Sequence, residues 1–389
     1  MTIFLFLKQI VDIFYQYRFL DYVLVLFAIS LLAYQIWLKK SDKLASVKNK
    51  DQYKIKLTLT DTCICYFILI ATLKYLVFSS TNLETYGKLL SAFLMYFIGR
   101  LCKERIEECT RALAIAAYIV IYANVINRYI YLGYGGFFKS KVSDGCLYYF
   151  DTDLSYAMLI GLIFVAMYAK NSVLKFVTVF ITCPFMILHS GADIQKVLLV
   201  VTYIVLFVFI GERAVKRRRI SDYFLPIALI LLCVILIGLI LPVFTNNNNS
   251  ILLVFINSRI TDTNTLIERY SEWKNAKSIF DNSSLLWKCV GLGTTSIGVV
   301  INQYLHIFFY YGYIGVIATI GIIISSTFSA IHTKERKTYY VSIMLAIVFL
   351  GTCIVINGMD RTQMSWFLFI FLGMVQIMPN KSGKNEQKK

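Results

Sequence analysis

Long runs of apolar residues fill the chain, and short polar stretches, most of them basic, separate the runs. A helix needs roughly 20 mainly apolar residues to cross a bilayer core of about 30 Å, because its backbone groups must be paired within the segment. Such runs predict membrane-spanning helices near residues 21–38, 57–79, 87–101, 112–132, 150–169, 176–189, 197–210, 223–244, 304–326, 339–357 and 364–378. Three of them are short, so the pattern predicts about 11 spans, or roughly 10 to 12.

The composition of the chain agrees with this prediction. Hydrophobic residues make up 58% of the sequence and charged residues 16%, and the mean hydropathy is +0.67. A chain of this kind is too apolar for an ordinary soluble domain. The first twenty residues carry Lys8, Asp12 and Arg18 and lack a small-residue cleavage site, which indicates an interfacial helix rather than a removable signal peptide. We therefore expect an all-α, polytopic integral membrane protein.

The basic residues indicate how the chain is oriented. Most of the 39 Lys and Arg residues lie in alternate connections, and positively charged connections stay on the cytoplasmic side of a membrane. This arrangement accounts for the formal net charge of +17. Nucleic-acid binding is therefore not needed to explain the positive charge, and the sequence contains no recognisable nucleic-acid-binding motif.

The predicted topology leaves one large loop, residues 245–301, on the outer side. An N-terminal bundle of about eight spans covers residues 1–244, and a C-terminal group of about three spans covers residues 302–378. A basic tail, residues 379–389, remains in the cytoplasm. Large loops without a function are uncommon, so the outer loop is where we expect the chemistry.

The outer loop contains the segment "TLIERYSEWKNAKSIF", which has the pattern of an amphipathic helix. Thr265 and Glu268 match a capping box, and the apolar residues recur at helical spacing. Arg269 and Trp273 are four residues apart and share one face of this helix. The guanidinium either aligns beside the indole or extends into solvent from an ordinary surface helix.

The loop then runs through "VGLG", residues 290–293, into the aromatic segment "INQYLHIFFYYGYIG". Gly291 and Gly293 predict a hinge that folds the loop back towards the membrane. Asn302 is expected to line a polar mouth. His306, one helical turn later, faces the same mouth or belongs to an interfacial aromatic belt.

The order of these elements resembles the signature region of the bacterial O-antigen polymerase and ligase superfamily. In that superfamily an arginine-bearing helix in the large periplasmic loop leads to a G-x-G turn, and a span opening with G-x-x-G follows. Here Gly312 and Gly315 match the G-x-x-G, at the expected distance from Asn302. We expect the two glycines to let the helix pack closely or to admit a lipid tail.

Other positions match the superfamily less closely. Ile301 stands where a histidine is expected, and since that histidine is characteristic of ligases, its absence favours a Wzy-type polymerase. "GCLYYFDTDLSYAMLI", with Asp151 and Asp153, is similar to an acidic turn that precedes a span. "LHSGADIQKVLLVV" is similar to the superfamily's small-polar turn between two spans. The arginine that is usual in this turn is missing here, and Lys196 is the nearest cation.

The resemblance implies a glycosyltransferase that polymerises undecaprenyl-pyrophosphate-linked oligosaccharides at the periplasmic face of the inner membrane, in lipopolysaccharide or other surface-polysaccharide biosynthesis. Its partners would be the lipid-linked oligosaccharide, membrane lipids, and the chain-length regulator and flippase of the same pathway. No cofactor, metal or nucleic acid is expected. Arginine suits the leaving diphosphate, because its planar guanidinium binds phosphate oxygens in pairs.

Position and resemblance together give two sets of candidate residues. The candidate catalytic residues are Arg269, Asp151, Glu272 and His306. The candidate substrate-binding residues are Arg259, Trp273, Asn302, Asp153, Lys196, Gly291, Gly293, Gly312 and Gly315.

Two other functions remain open from the sequence. A ligase-like enzyme would transfer the finished glycan to a different acceptor. A flippase or other transporter of lipid-linked oligosaccharide would show repeated halves, and charges or broken helices at the membrane midplane. The charges predicted within spans, Asp61, Lys74 and Arg128, form no paired series, so the sequence favours an enzyme.

Overall fold

The computed structural model describes most of the chain as helices. The described residues are 2–13, 19–45, 57–77, 81, 83–101, 106–127, 151–170, 172–190, 192–215, 263–297, 300–331 and 336–376, and none of them lies in a β-strand. The eighth predicted span, residues 223–244, and the first part of the large loop lie outside these ranges. Within them, the expected all-α architecture is confirmed.

Fifteen α-helices can be followed along the described residues. They are α1 Thr2–Ile13, α2 Phe19–Ala45, α3 Leu59–Leu76, α4 Leu83–Leu101, α5 Ile106–Val125, α6 Asp151–Tyr168, α7 Val173–Val177, α8 Cys183–Leu188, α9 Asp193–Val215, α10 Thr263–Asp281, α11 Leu285–Val290, α12 Thr294–Ile297, α13 Gln303–Ile331, α14 Arg336–Thr352 and α15 Thr362–Val375. A π-helical turn, Thr178–Thr182, joins α7 to α8, and a 3₁₀ turn, Gly358–Asp360, precedes α15.

Four segments within these helices are long and apolar enough to cross a membrane. They are Leu59–Leu76, Glu107–Val125, Asp193–Glu212 and Gln303–Ile331, and several shorter apolar helices accompany them in the described part of the chain. The molecule is thus a helical, membrane-embedded protein, whereas the count of about 11 spans stays a prediction.

The N-terminal helix α1, predicted to be interfacial, packs into the bundle against α5 and α2. Phe4 is fully buried and stacks on Trp366 of α15 at 6.3 Å between ring centroids. The ammonium of Lys8, which is also buried, lies 4.5 Å from the centre of the same indole. A cation over a desolvated aromatic face is stabilised by the ring quadrupole, so this contact helps to hold α1 in place.

Helices α4 and α15 pack closely, and small residues make the approach possible. A Cβ atom added at Gly99 would lie 2.0 Å from the carbonyl oxygen of Ile370, and one added at Gly373 would lie 2.1 Å from that of Tyr96. The two backbones therefore touch directly. Membrane helices associate through such small-residue contacts because the hydrophobic effect does not drive apolar side chains together in lipid, so close van der Waals packing must do so.

A polar cluster closes the end of α3 and α4 that is remote from the outer loop. Asp61 forms a capping box with Thr58 at the start of α3, accepts a hydrogen bond from Tyr96 at 2.7 Å and pairs with Arg100 at 3.1 Å. Its carboxylate is thus satisfied although it is buried.

A second link at the same end joins three helices. The amide of Gln376, just after α15, donates to Thr60 of α3 at 3.1 Å and accepts from Ser329 of α13 at 3.0 Å.

The contact between α4 and α15 leads to a test of the packing. Gly99→Ala should lower the stability of the protein by about 1–3 kcal/mol, because the new methyl group overlaps a backbone carbonyl that cannot move without separating the helices. Gly87→Ala on the same helix is the matched control, since no atom lies within 4 Å of its added Cβ. Thermal unfolding in detergent measures both variants. Equal midpoints for the two would contradict this account of the crossing.

Candidate functional site

The predicted loop helix is present as α10, and it lies on the N-terminal half of α13. Trp273, Ala276 and Phe280 form its buried face. The ring of Phe280 contacts Phe308, Phe309 and Tyr313 of α13, with centroids 4.9 to 6.0 Å apart. We call the end of the bundle where α10, α11 and α12 lie the loop end.

The helix begins at Thr263, before the start at Thr265 that the capping-box pattern predicts. The apolar spacing of the segment nevertheless gave the correct buried face.

Arg269 lies at the edge of this buried face. Its side chain is half-buried, and it makes no hydrogen bond or ion pair with any residue that the structure describes. Burial lowers the pKa of the Arg269 guanidinium, and the charge of nearby Glu272 opposes that shift. A guanidinium stays protonated in proteins, so α10 presents a partly desolvated cation. Glu272 itself is exposed.

The glycine pair after α11 forms the predicted turn. Gly291 has φ 86° and Gly293 φ 91°, in the left-handed region that favours glycine. A Cβ atom at Gly291 would lie 2.3 Å from the carbonyl carbon of Tyr310, so the turn is pressed against α13. The N–H of Leu292 donates to the carbonyl of Phe309 at 2.9 Å. The loop thus folds back and joins α13 by its backbone.

Gly312 breaks α13 instead of serving only as a small packing residue. Its φ of 66° and ψ of −167° are not helical, and an added Cβ would lie 2.4 Å from the carbonyl oxygen of Cys289. Residues 313–331 alone would extend about 28 Å at 1.5 Å per residue, which is enough to cross a bilayer core. The candidate span Gln303–Ile331, which contains the predicted 304–326, is therefore interrupted at Gly312. Gly315 lies one turn further on, against the side chain of Tyr311.

Lys74 of α3 stabilises the segment before the break. Its side chain is buried, and its ammonium donates a hydrogen bond to the carbonyl of Tyr310. The same ammonium lies 5.2 Å from the centre of the Tyr311 ring. From the sequence, Lys74 was expected only to be one of three charges within spans that form no paired series. Its partner is a backbone carbonyl 236 positions away, which no side-chain pattern reveals.

Asn302 and His306 are buried within the loop end. The Asn302 side chain caps the first half of α13, because its Oδ1 accepts from the N–H groups of Tyr304 at 3.0 Å and Leu305 at 3.1 Å. Its amide nitrogen donates to the carbonyl of Ile354 at 2.9 Å. The residue expected to line a sugar-binding mouth is thus occupied by contacts within the protein.

Asn357, which the sequence analysis did not single out, orients His306. Its Oδ1 accepts from the N–H of Asn302 at 3.0 Å, and its Nδ2 donates to the carbonyl of Val300 at 2.7 Å. These two contacts fix the amide, so its nitrogen faces His306 Nδ1 at 3.0 Å as a donor. In neutral His306 the proton is therefore carried by Nε2.

An ion pair also forms on the segment between α14 and α15, which carries Asn357. Arg361 Nη1 lies 2.6 Å from both carboxylate oxygens of Asp153, which is buried in the first turn of α6. Arg361 stands 208 positions from Asp153 and was missed from sequence. The backbone N–H of Met359 donates to Gln303 at 2.8 Å, which ties this segment to the start of α13.

The remaining predicted residues are not brought to this centre by any described contact. Lys196 pairs with Asp193 at 2.8 Å on the surface of α9, as expected for a simple loop ion pair. Asp151 is the first residue of α6, and the structure describes only its backbone. Arg259 lies outside the described residues.

An apolar groove leads from the loop end into the membrane-embedded part of the bundle. Its cavity of about 110 Å³ lies between α13, α14 and α15. Gln303 and Tyr304 line it near the loop end, and Ile322, Ala330, Phe349 and Leu372 are among its apolar walls. Its lining runs from Ser342 on α14 to Cys353 just after that helix, or roughly 16 Å at the helical rise.

Fold and site together define a helical membrane protein with a polar centre at one end of its bundle. No protein-family model matches the chain. No curated protein matches it with statistical significance either.

The break in α13 gives a second test. Gly312→Ala should strain the backbone by about 1–3 kcal/mol and push α11 away from α13, because the new methyl group meets the Cys289 carbonyl. We therefore expect a water-soluble maleimide to label Cys289, which is half-buried in the native protein, several-fold faster. Gly211→Ala, which meets no atom within 4 Å, is the control, and Cys289→Ser gives the background. Unchanged labelling would show that the break does not hold α11.

Proposed function

We propose that the protein polymerises undecaprenyl-pyrophosphate-linked oligosaccharides at the periplasmic face of a bacterial inner membrane. In this reaction the bond between the anomeric carbon and the carrier diphosphate breaks, and a hydroxyl of a second lipid-linked unit forms the new glycosidic bond. The hydroxyl proton passes to a base and the carrier pyrophosphate leaves. The product is O-antigen or a related surface polysaccharide.

The half-buried guanidinium of Arg269 carries this proposal. It has no anionic partner bonded to it among the described residues, and the loop helix that bears it packs on the segment before the break in α13. Diphosphate oxygens would supply the missing acceptors, since a guanidinium binds two of them at once. Stabilising a leaving group where charge develops is the most effective contribution such a residue can make.

Glu272 is our choice for the base. It is exposed on α10, so a sugar hydroxyl can reach it, and it lies close enough to Arg269 to raise the pKa of that guanidinium. His306 is buried and its Nδ1 accepts from Asn357, which suits a positioning role better than proton transfer to a sugar.

The apolar groove between α13, α14 and α15 fits the lipid part of this substrate. Its lining is almost entirely apolar and includes Gln303 near the loop end, so a lipid whose head group lies beside the polar centre would place part of one chain between these helices.

A ligase-like transferase remains the alternative within the same class, and Ile301 speaks against it. A flippase is the second candidate, and the broken helix α13 with buried Lys74 beside it favours that function. Transporters of lipids and solutes use discontinuous helices and buried charges at their binding sites. The glycan assays below separate the three.

Deleting the gene should leave single repeat units attached to the surface acceptor, because the chain-extending step is lost while transfer to the acceptor continues. Loss of a ligase would instead leave polymer on the carrier lipid, and loss of a flippase would leave single units on the carrier at the cytoplasmic face. Gel analysis of surface glycan and mass spectrometry of carrier lipids distinguish these outcomes. Normal polymer on the surface of the deletion strain would refute the proposal.

Arg269→Ala should reduce polymerisation by about a hundredfold or more, since removing one charge-assisted contact in a transition state commonly costs on the order of 3 kcal/mol. Arg269→Lys should also be clearly impaired, because it keeps the charge but loses the planar pair of donors. Lys277→Ala, at an exposed ion pair on the same helix, is the control and should restore a full glycan ladder to the deletion strain. If Arg269→Ala, present in the membrane at the wild-type level, also restores a full glycan ladder, Arg269 is an ordinary surface residue and does not bind the diphosphate.

A further inference from the structure

Two hydrogen-bond donors on α10 have no acceptor among the described residues. They are the hydroxyl of Tyr270 and the indole N–H of Trp273, and both atoms are shielded from solvent. Trp273 as a whole is only 6% exposed. Buried polar atoms in proteins are nearly always paired, so each exception calls for an explanation, such as a group that binds there.

The aromatic rings that carry the two donors are neighbours, and they follow the proposed phosphate ligand along α10. Their centroids are 5.8 Å apart, and residues three apart share a face of a helix. Arg269 directly precedes Tyr270, and the ammonium of Lys274 lies 5.5 Å from the Tyr270 ring centre. A ligand whose diphosphate is bound by Arg269 would therefore place its first sugars beside Tyr270 and Trp273.

The chemistry of the pair selects the kind of atom that it binds. An indole N–H only donates. Burial raises the pKa of Tyr270 to about 12, so its hydroxyl stays protonated and able to donate at physiological pH. The complementary group is an acceptor, and it is uncharged, because a carboxylate placed between two neutral donors in a desolvated site would lose more hydration than it regains.

We infer that Tyr270 and Trp273 recognise the carbonyl oxygen of an acetamido group on an N-acetylated sugar of the lipid-linked substrate. That oxygen has two lone pairs for the two donors, and the methyl group of the acetamido would pack on the aromatic faces. The inference rests on the proposed function, since it places the glycan next to Arg269. It makes the pair a determinant of sugar specificity.

Two variants remove the donors. Tyr270→Phe deletes an unpaired hydroxyl and keeps the ring, so it should not lower the thermal stability of the free protein. Trp273→Phe deletes the indole N–H and also leaves a cavity at a buried position, so it should lower the stability. A purely structural role predicts these stability changes with an unchanged preference for the acetamido group. Sugar recognition predicts weaker binding of that group even in Tyr270→Phe, whose stability is retained, because a site that bonds a substrate group discriminates strongly against losing that bond.

The binding experiment uses purified full-length protein in nanodiscs and two probes. One is a short-chain polyprenyl pyrophosphate carrying a single N-acetylhexosamine, and the other carries the corresponding hexose. Wild-type protein should bind the acetamido probe about tenfold more tightly than the hexose probe, because the hexose lacks a hydrogen bond and a loss of about 1.4 kcal/mol corresponds to tenfold in Kd. Each phenylalanine variant should reduce that preference, and the double variant should abolish it. Tyr75→Phe, a stacked tyrosine away from α10, should retain it.

The outcomes separate this inference from the proposed function. Equal, tight binding of both probes by the wild type would overturn the acetamido site and leave the polymerase proposal standing. Binding of neither probe would overturn both. A preference for a uronic-acid probe over the acetamido probe would replace the carbonyl ligand with a carboxylate and also overturn the inference.

Discussion

The contact between the Lys74 ammonium and the Tyr310 carbonyl is the interaction on which the loop end depends. Breaking a helix at membrane depth leaves carbonyl groups that lipid cannot pair, and each unpaired group is costly. Lys74 of α3 donates to the carbonyl of Tyr310, and the backbone N–H of Leu292 donates to the preceding carbonyl, that of Phe309. The break at Gly312 is therefore stable only because an adjacent helix and the returning loop complete it.

Every other element of the centre is arranged around the segment before this break. Asn302 caps its start, Asn357 fixes His306 upon it, and Gln303 binds the 3₁₀ turn that leads to Arg361. α10 covers its outer side through Phe280. The site is therefore assembled largely by side chains that pair with backbone groups, which allows a polar cluster to exist inside an apolar bundle.

Sequence patterns predicted what depends on local spacing. The apolar period of residues 265–280 gave α10 and its buried face, and the glycine pair at 291 and 293 gave a turn, because both features are set within a few residues. The break at Gly312 escaped prediction, since a glycine in an apolar run looks the same whether it packs against a helix or interrupts one. Lys74 with Tyr310 and Asp153 with Arg361 escaped because their partners are more than 200 positions apart.

The two ends of α13 are held by different partners. Ser329, near its far end, is joined through Gln376 to α3, whereas the residues before Gly312 are held by Lys74, by the returning loop and by the segment that carries Asn357. The helical hydrogen-bond ladder is interrupted at Gly312, so each half of α13 keeps its position through contacts of its own. One chain segment can therefore serve two purposes, because the first half follows the shape of the loop end while the second half follows the packing of the bundle.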